Sequence, residues 1–183
     1  MILFFVGQCL WHILPAYVAN MVPLFAAMLL GDRWATPLDF HRTWNGHPIL
    51  GRNKTYRGFI AGVLAAIAVS YVQLRLCNFP TIRPLSLLFS GDVNFVWWGF
   101  LMGFGALFGD AVKSFLKRRR QIPPGESWRP FDQIDFLLGA LAFTSLAFVP
   151  PFSLTLGILA IMPWVKVLVA HFGFWIGLRK SKW

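Results

Sequence analysis

Three aspartates, Asp110, Asp132 and Asp135, stand among lysines and arginines in one stretch, residues 109–136, of a chain that is otherwise mostly apolar. Asp110, Lys113, Ser114 and Lys117 are spaced i, i+3, i+4 and i+7, which lays them along one face of a helix. Asp132 and Asp135, at i and i+3, share a face at the start of the next apolar segment. Three carboxylates that meet across a short loop suit a hard cation such as Mg²⁺. Such an ion takes few protein oxygens and leaves the rest to phosphate and water. Simpler roles compete: Asp110 can satisfy itself with Lys113 or Ser114, and acids at a helix start are favoured by the macrodipole and by capping.

The cations extend the pattern. Lys117, Arg118, Arg119 and Arg120 follow the acid-bearing helix, and "GRNKTYRG" sets Arg52, Asn53, Lys54, Thr55 and Arg57 before another apolar run. Lys and Arg around a carboxylate–metal centre point to a polyphosphate, whose charge needs both partners. Asn53 and Thr55 would sit at a helix N-terminus, where backbone N–H groups favour anions. The plainer account of this segment is an N-cap followed by a snorkelling belt.

Other chemistries find no support. No GxxxxGK[ST] occurs, and His12, His41, His47 and His171 are scattered without zinc spacing. Cys9 and Cys77 are too few for a metal framework and read as buried thiols, with a disulfide between them as the alternative. Asp39 is a lesser site candidate or a loop turn residue, and Asp32 and Asp92 read as surface charges.

The elements that must position these groups are membrane helices. The 183 residues are 57% hydrophobic and 13% charged, about half the usual charged share. Spanning about 30 Å of hydrocarbon takes roughly 20 apolar residues. Five stretches are expected to span, near residues 6–30, 58–76, 95–117, 134–149 and 153–178, the first interrupted by Pro15, Asn20 and Pro23. Pro150-Pro151 should leave almost no loop between the last two. No basic n-region precedes the first span and no small-residue cleavage site follows it, so no cleaved signal peptide is expected. The expectation is an all-α polytopic membrane protein forming one domain over residues 1–183.

The basic residues orient it. Residues 31–57 hold Arg33, Arg42, Arg52, Lys54 and Arg57, residues 118–133 hold Arg118 to Arg120 and Arg129, and Arg179, Lys180 and Lys182 end the chain. The alternate side has only Arg75 and Arg83. By the positive-inside rule the N-terminus lies outside and the C-terminus in the cytoplasm, with both polar loops cytoplasmic. This bias accounts for part of the net charge of +10. Asp110 then lies about 10 Å of helix rise inward from Lys117. An acid at that depth should face protein or a wet cavity.

The run Asp110, Lys113-Ser114, Lys117-Arg118, Pro124-Gly125, Asp132-Gln133, Asp135 resembles the signature of the CTP-dependent phosphatidate cytidylyltransferase family. "GRNKTYRG" and the five-span length resemble its archaeal branch, the CDP-archaeol synthases. Bacterial relatives carry Lys-Asp and His-Gly-Gly before a D-R-x-D motif. Residues 121–131 lack both and Gln133 stands for the Arg, which favours the archaeal branch.

The resemblance implies transfer from CTP to 2,3-bis-(geranylgeranyl)glycerol 1-phosphate. Mg²⁺ would lie at Asp110, Asp132 and Asp135, with Lys117 and Arg118 beside it as catalytic residues. Substrate would be held by Asn53, Lys54, Thr55, Arg57, Lys113, Ser114, Arg119, Pro124, Gly125 and Gln133. Partners are CTP, an isoprenoid ether-lipid phosphate and membrane lipids. Nucleic acid is not among them, since three acids inside the basic patch would repel a phosphate backbone unless a metal intervened. A small transporter or channel for an anionic solute is the competing reading. It would call for broken helices around a midplane site.

Overall fold

The computed structural model describes residues 1–88, 93–123, 126–128 and 130–175. The expectations placed on Asp92, Pro124, Gly125, Arg129, Arg179, Lys180 and Lys182 lie outside the described residues. Five α-helices carry the fold: α1 (Ile2–Leu30), α2 (Tyr56–Leu76), α3 (Phe95–Arg119), α4 (Phe131–Thr144) and α5 (Phe152–Trp175). Among the described residues four helices are long and apolar enough to cross a membrane: α1, α2, α3 and the Phe152–Val169 part of α5. The chain is a multi-pass membrane protein. α3 is the hub, packing against α1, α2 and α4, while α5 leans on α1 and α4. Ile13, Trp98, Met102, Phe136, Ile158 and Met162 interlock in the buried interior.

Helix α1 runs through Pro15 and Pro23 without a break. Proline removes one i→i−4 hydrogen bond, so Pro15 leaves the carbonyl of Trp11 without its helical donor. Gln73 of α2 supplies one, its Nε2 donating to Trp11 O at 2.6 Å. Gln73 is 2% exposed, so this is an interior repair. Gln73→Leu is expected to cost about 1–3 kcal/mol, the penalty for stranding a buried carbonyl. A lower unfolding midpoint in detergent would show it, and an unchanged midpoint would count against it.

The fourth expected span is shortened. α4 has 14 residues, about 21 Å at 1.5 Å per residue, against a core of about 30 Å. It ends at Thr144 because side chains compete for its last carbonyls: Thr144 Oγ1 donates to Ala140 O and Ser145 Oγ to Ala142 O, both at 2.7 Å. Residues 145–151 then separate α4 from α5, where almost no loop was expected.

Residues 31–55 hold a feature the sequence reading left out. Strands β1 (Thr43–Trp44) and β2 (His47–Pro48) pair antiparallel about Asn45-Gly46. Both turn residues have positive φ, 52° and 75°, as an Asn-Gly hairpin turn requires. Cys9 and Cys77 are both buried and free, so the disulfide alternative is not realised.

Candidate active site

One ammonium organises the centre. Lys113 Nζ lies 2.9 Å from Asp110 Oδ1, 3.2 Å from Asp132 Oδ1 and 2.6 Å from Asp135 Oδ2. The expected helix face and the expected Asp132–Asp135 pair therefore do meet across α3 and α4. Lys54 pairs with the other oxygen of Asp110. Lys117 Nζ lies 3.5 Å from Asp132 and donates to the Glu126 carbonyl. Trp128 N–H donates to Asp132 Oδ2, so residues 126–128 of the connection between α3 and α4 are tied to the cluster.

Lys166 of α5 was missed from sequence. Its ammonium donates to the Asp132 carbonyl at 2.6 Å, stands 3.5 Å from Asp135 Oδ1, and lies 4.4 Å from the Phe136 ring centre. Asp135, whose side chain is 4% exposed, thus has a separate lysine at each oxygen. The available signal was a lone cation inside an apolar span, which by default marks a functional site.

The helices reach this closeness through glycine. A Cβ on Gly105 would fall 2.5 Å from Gly139 O, and one on Gly139 would fall 2.9 Å from Gly109 Cα and N. Backbone therefore meets backbone between α3 and α4, as in membrane packing through small residues. Asp110 follows Gly109 directly, and Asp135 lies one turn before Gly139. The cluster forms only because these helices touch.

Beside the cluster lies a cavity of about 160 Å³, lined by Leu50, Gly51, Arg52, Asn53, Lys54, Lys113, Ser114, Lys117 and Arg118. Arg118 is buried, and its Nε has no hydrogen-bond partner. An orphaned guanidinium nitrogen beside three lysines makes a seat for an anion. Lys54, Lys113, Lys117, Lys166 and Arg118 together exceed the three carboxylates by two positive charges.

Other expected site residues have structural partners. Thr55 caps α2, its hydroxyl accepting from Gly58 N–H at 3.3 Å. Ser114 Oγ donates to the Asp110 carbonyl at 2.9 Å, and Arg57 donates to the Arg33 carbonyl. Arg119, expected to hold substrate, instead clamps the β1–β2 ribbon. It donates to the carbonyls of Trp44, His47 and Pro48 and stacks on Trp44 and Phe115. Gln133 is half-buried on the first turn of α4.

Asp39 proves to be a loop organiser. Its carboxylate accepts from the N–H groups of His41 (3.1 Å), Leu50 and Gly51 (both 2.8 Å), the last two on the cavity wall. Burial alone would raise its pKa, but the N–H groups of Gly51, Leu50 and His41 outweigh that and hold it below the ordinary 3.8. A carboxylate with a lowered folded pKa stabilises the fold above its unfolded value, and the contribution fades as pH falls through the folded one. Proteolysis of residues 31–55 is therefore expected to rise as wild type is acidified below pH 3.8. In Asp39→Asn it should already be fast at neutral pH and change little on acidification. Identical pH profiles would refute the role.

Among the described residues, no group of three His, Cys, Asp or Glu is close enough to hold a metal as it stands. The Lys113 ammonium occupies the point where the three carboxylates meet. An all-carboxylate donor set around a single cation is nevertheless what a hard metal ion uses. The residues fit such an ion provided that Lys113 yields its place.

Fold and site together define a membrane-embedded enzyme with a basic cavity beside a carboxylate–lysine cluster. A sequence model of the family described as CarS-like, CDP-archaeol synthase, matches residues 2–183. The CDP-archaeol synthase of Pyrococcus furiosus is 36% identical over 177 residues, covering 96% of this chain and 94% of that protein. That of Methanocaldococcus jannaschii is 36% identical over 176 residues, 95% of each. A solved structure described as an intramembrane enzyme for archaeal membrane lipids biosynthesis superposes with a TM-score of 0.70 at 27% identity, covering 89% of this chain and 92% of that one. The chain belongs to the CDP-archaeol synthase family, and is an enzyme of the CTP-dependent cytidylyltransferase class.

Proposed function

We propose that this enzyme transfers the cytidylyl group of CTP to 2,3-bis-(geranylgeranyl)glycerol 1-phosphate, releasing pyrophosphate and forming a CDP-lipid. The cavity where Lys54, Lys113, Lys117 and the unpartnered Arg118 Nε converge carries the reading. Its net positive charge suits a triphosphate, and the names of the relatives support a CDP-lipid product. An oxygen of the lipid phosphate attacks the α-phosphorus of CTP, and the bond from that phosphorus to the pyrophosphate oxygen breaks. The second pKa of a phosphate monoester is about 6, so the attacking oxygen is ionised near neutrality and no general base is required. The protein's work is alignment and charge neutralisation. Lys54, Lys117 and Arg118 hold the triphosphate, and Lys113, which must leave the carboxylates for a metal to bind there, turns to the phosphates. Asp110, Asp132 and Asp135 would hold Mg²⁺, which supplies further neutralisation of the α-phosphate and departing pyrophosphate when bound.

The test is direct. Purified protein with radiolabelled CTP, the lipid phosphate and Mg²⁺ should yield a labelled lipid and pyrophosphate, and EDTA should abolish both. Labelled lipid that forms equally well in EDTA would remove the metal, and no labelled lipid would remove the function.

The site is read as opening to the cytoplasm, where CTP is found, with the N-terminus outside and α4 completing a fifth crossing. The cations of residues 31–57 and 117–120 support this by the positive-inside rule. In a Cys-free variant with single cysteines at Asn45, Ser86 or Ser127, an impermeant thiol reagent on intact cells should label only Ser86→Cys. External labelling of Asn45→Cys or Ser127→Cys would invert the topology.

A further inference from the structure

Lys166 is the cation of the cluster that the transfer itself leaves without a task. It enters from α5, inside the apolar Phe152–Val169 stretch, where a charge needs a partner. An ammonium has three donors. Lys166 gives one to the Asp132 carbonyl at 2.6 Å, stands 3.5 Å from Asp135 Oδ1, and lies 4.4 Å from the centre of the Phe136 ring. That ring is fully buried, and its face adds a cation–π hold. Lys166 is not one of the described residues lining the basic cavity.

This seat differs from that of Lys113. Lys113 is held by the three carboxylates, so a cation that takes them displaces it. Lys166 also has a backbone carbonyl and a ring, which stay with it when the carboxylates are taken. Asp135 is thereby divided between two sides. Its Oδ1 faces Lys166 on α5, and its Oδ2 faces the point where the three carboxylates meet. The side chain is 4% exposed, so water does little to orient it.

We propose that Lys166 is a positioning residue for metal binding: it pins Asp135 Oδ1, so that Oδ2 is offered to a divalent ion when Lys113 turns to the phosphates. The proposal rests on the reading that the three aspartates hold Mg²⁺. Carboxylates that bind metals are themselves held by outer partners, and losing such a partner costs about 10–100-fold in metal affinity. Repulsion between Lys166 and the ion acts the other way, so the sign of the change separates the two effects.

Mn²⁺, which takes the same oxygen ligands, is titrated into the purified full chain with CTP and no acceptor lipid. The protein-bound ion is read by EPR against the same mixture without protein. Lys166→Met keeps an unbranched chain but no donor or charge, and its Mn²⁺ affinity should fall at least about tenfold. Lys166→Arg, which restores both, should recover most of it. If Lys166→Met does not extract folded, Lys166→Gln, which retains a donor for the Asp132 carbonyl but no charge for Asp135, should show the same fall. Unchanged or tighter Mn²⁺ binding in the folded variant would overturn the role. Wild type that binds no Mn²⁺ would remove the metal and this role with it.

A merely structural tie of α5 is tested separately. The Tyr17 hydroxyl donates to the Met162 carbonyl, one turn before Lys166, and so joins α1 to α5 without touching the cluster. Tyr17→Phe should lower the unfolding midpoint and leave Mn²⁺ affinity as in wild type. If it weakens Mn²⁺ as much as Lys166→Met does, α5 acts through packing alone and the positioning role falls.

Discussion

Asp135→Ala is expected to lower cytidylyl transfer roughly a thousandfold while the protein still extracts as a folded species. Asp135 is the most buried carboxylate of the cluster, and each of its oxygens faces a lysine, Lys113 at 2.6 Å and Lys166 at 3.5 Å. Removing it takes the carboxylate from Lys166 and one of three from Lys113, so neither ammonium is held where it stands. Losing one preorganised electrostatic contact at a reacting centre costs about a hundred- to a thousandfold in rate. If the three aspartates also hold Mg²⁺ jointly, Asp110→Ala and Asp132→Ala should fail comparably. Asp135→Asn separates shape from charge: it keeps the volume and should be nearly as inactive. Asp32→Ala, on an exposed loop, should behave as wild type. Near-normal turnover in Asp135→Ala would eliminate the three-carboxylate site.

Gly139→Leu is expected to lose at least about a hundredfold in activity together with several degrees of thermal stability, although residue 139 carries no functional group. The Cβ it introduces falls on Gly105 O and within 2.9 Å of Gly109 Cα and N. Those are backbone atoms, so no side-chain rotation relieves the overlap and α3 must part from α4. Overpacking of this kind costs about 1–3 kcal/mol or more. Asp135, one turn away on α4, would be drawn from Lys113, and misplacement by about 1 Å can cost a hundredfold in rate. The readouts are turnover and the midpoint of thermal unfolding, with Leu64→Ala, on the exposed side of α2, as the control. Full activity in Gly139→Leu would show that the helices do not need to touch.

Local periodicity made much of this molecule legible from its residues. Apolar runs of membrane length marked α1, α2, α3 and α5, because crossing hydrocarbon demands them whatever the neighbours are. The spacing of Asp110, Lys113, Ser114 and Lys117 placed them on one face because a helix has 3.6 residues per turn wherever it sits. Asp132 and Asp135 were paired by the same arithmetic, and the motif-bearing loops pointed to the family.

Tertiary structure decided which of these groups meet. Lys113 was read as one substrate contact among many, yet it is the hub of three aspartates, because its position between α3 and α4 depends on helix contact. Lys166 lies 31 residues from Asp135, on a helix whose sequence does not say which side faces the cluster. Arg119 stands in the same basic run as Arg118, but its terminal nitrogens go to a ribbon 71 to 75 residues away, while Arg118 lines the cavity. Helix phase is set by near neighbours in the chain. Ion pairs, glycine contacts and freed carbonyls such as Trp11 O are set by distant segments that must satisfy one another where no water can.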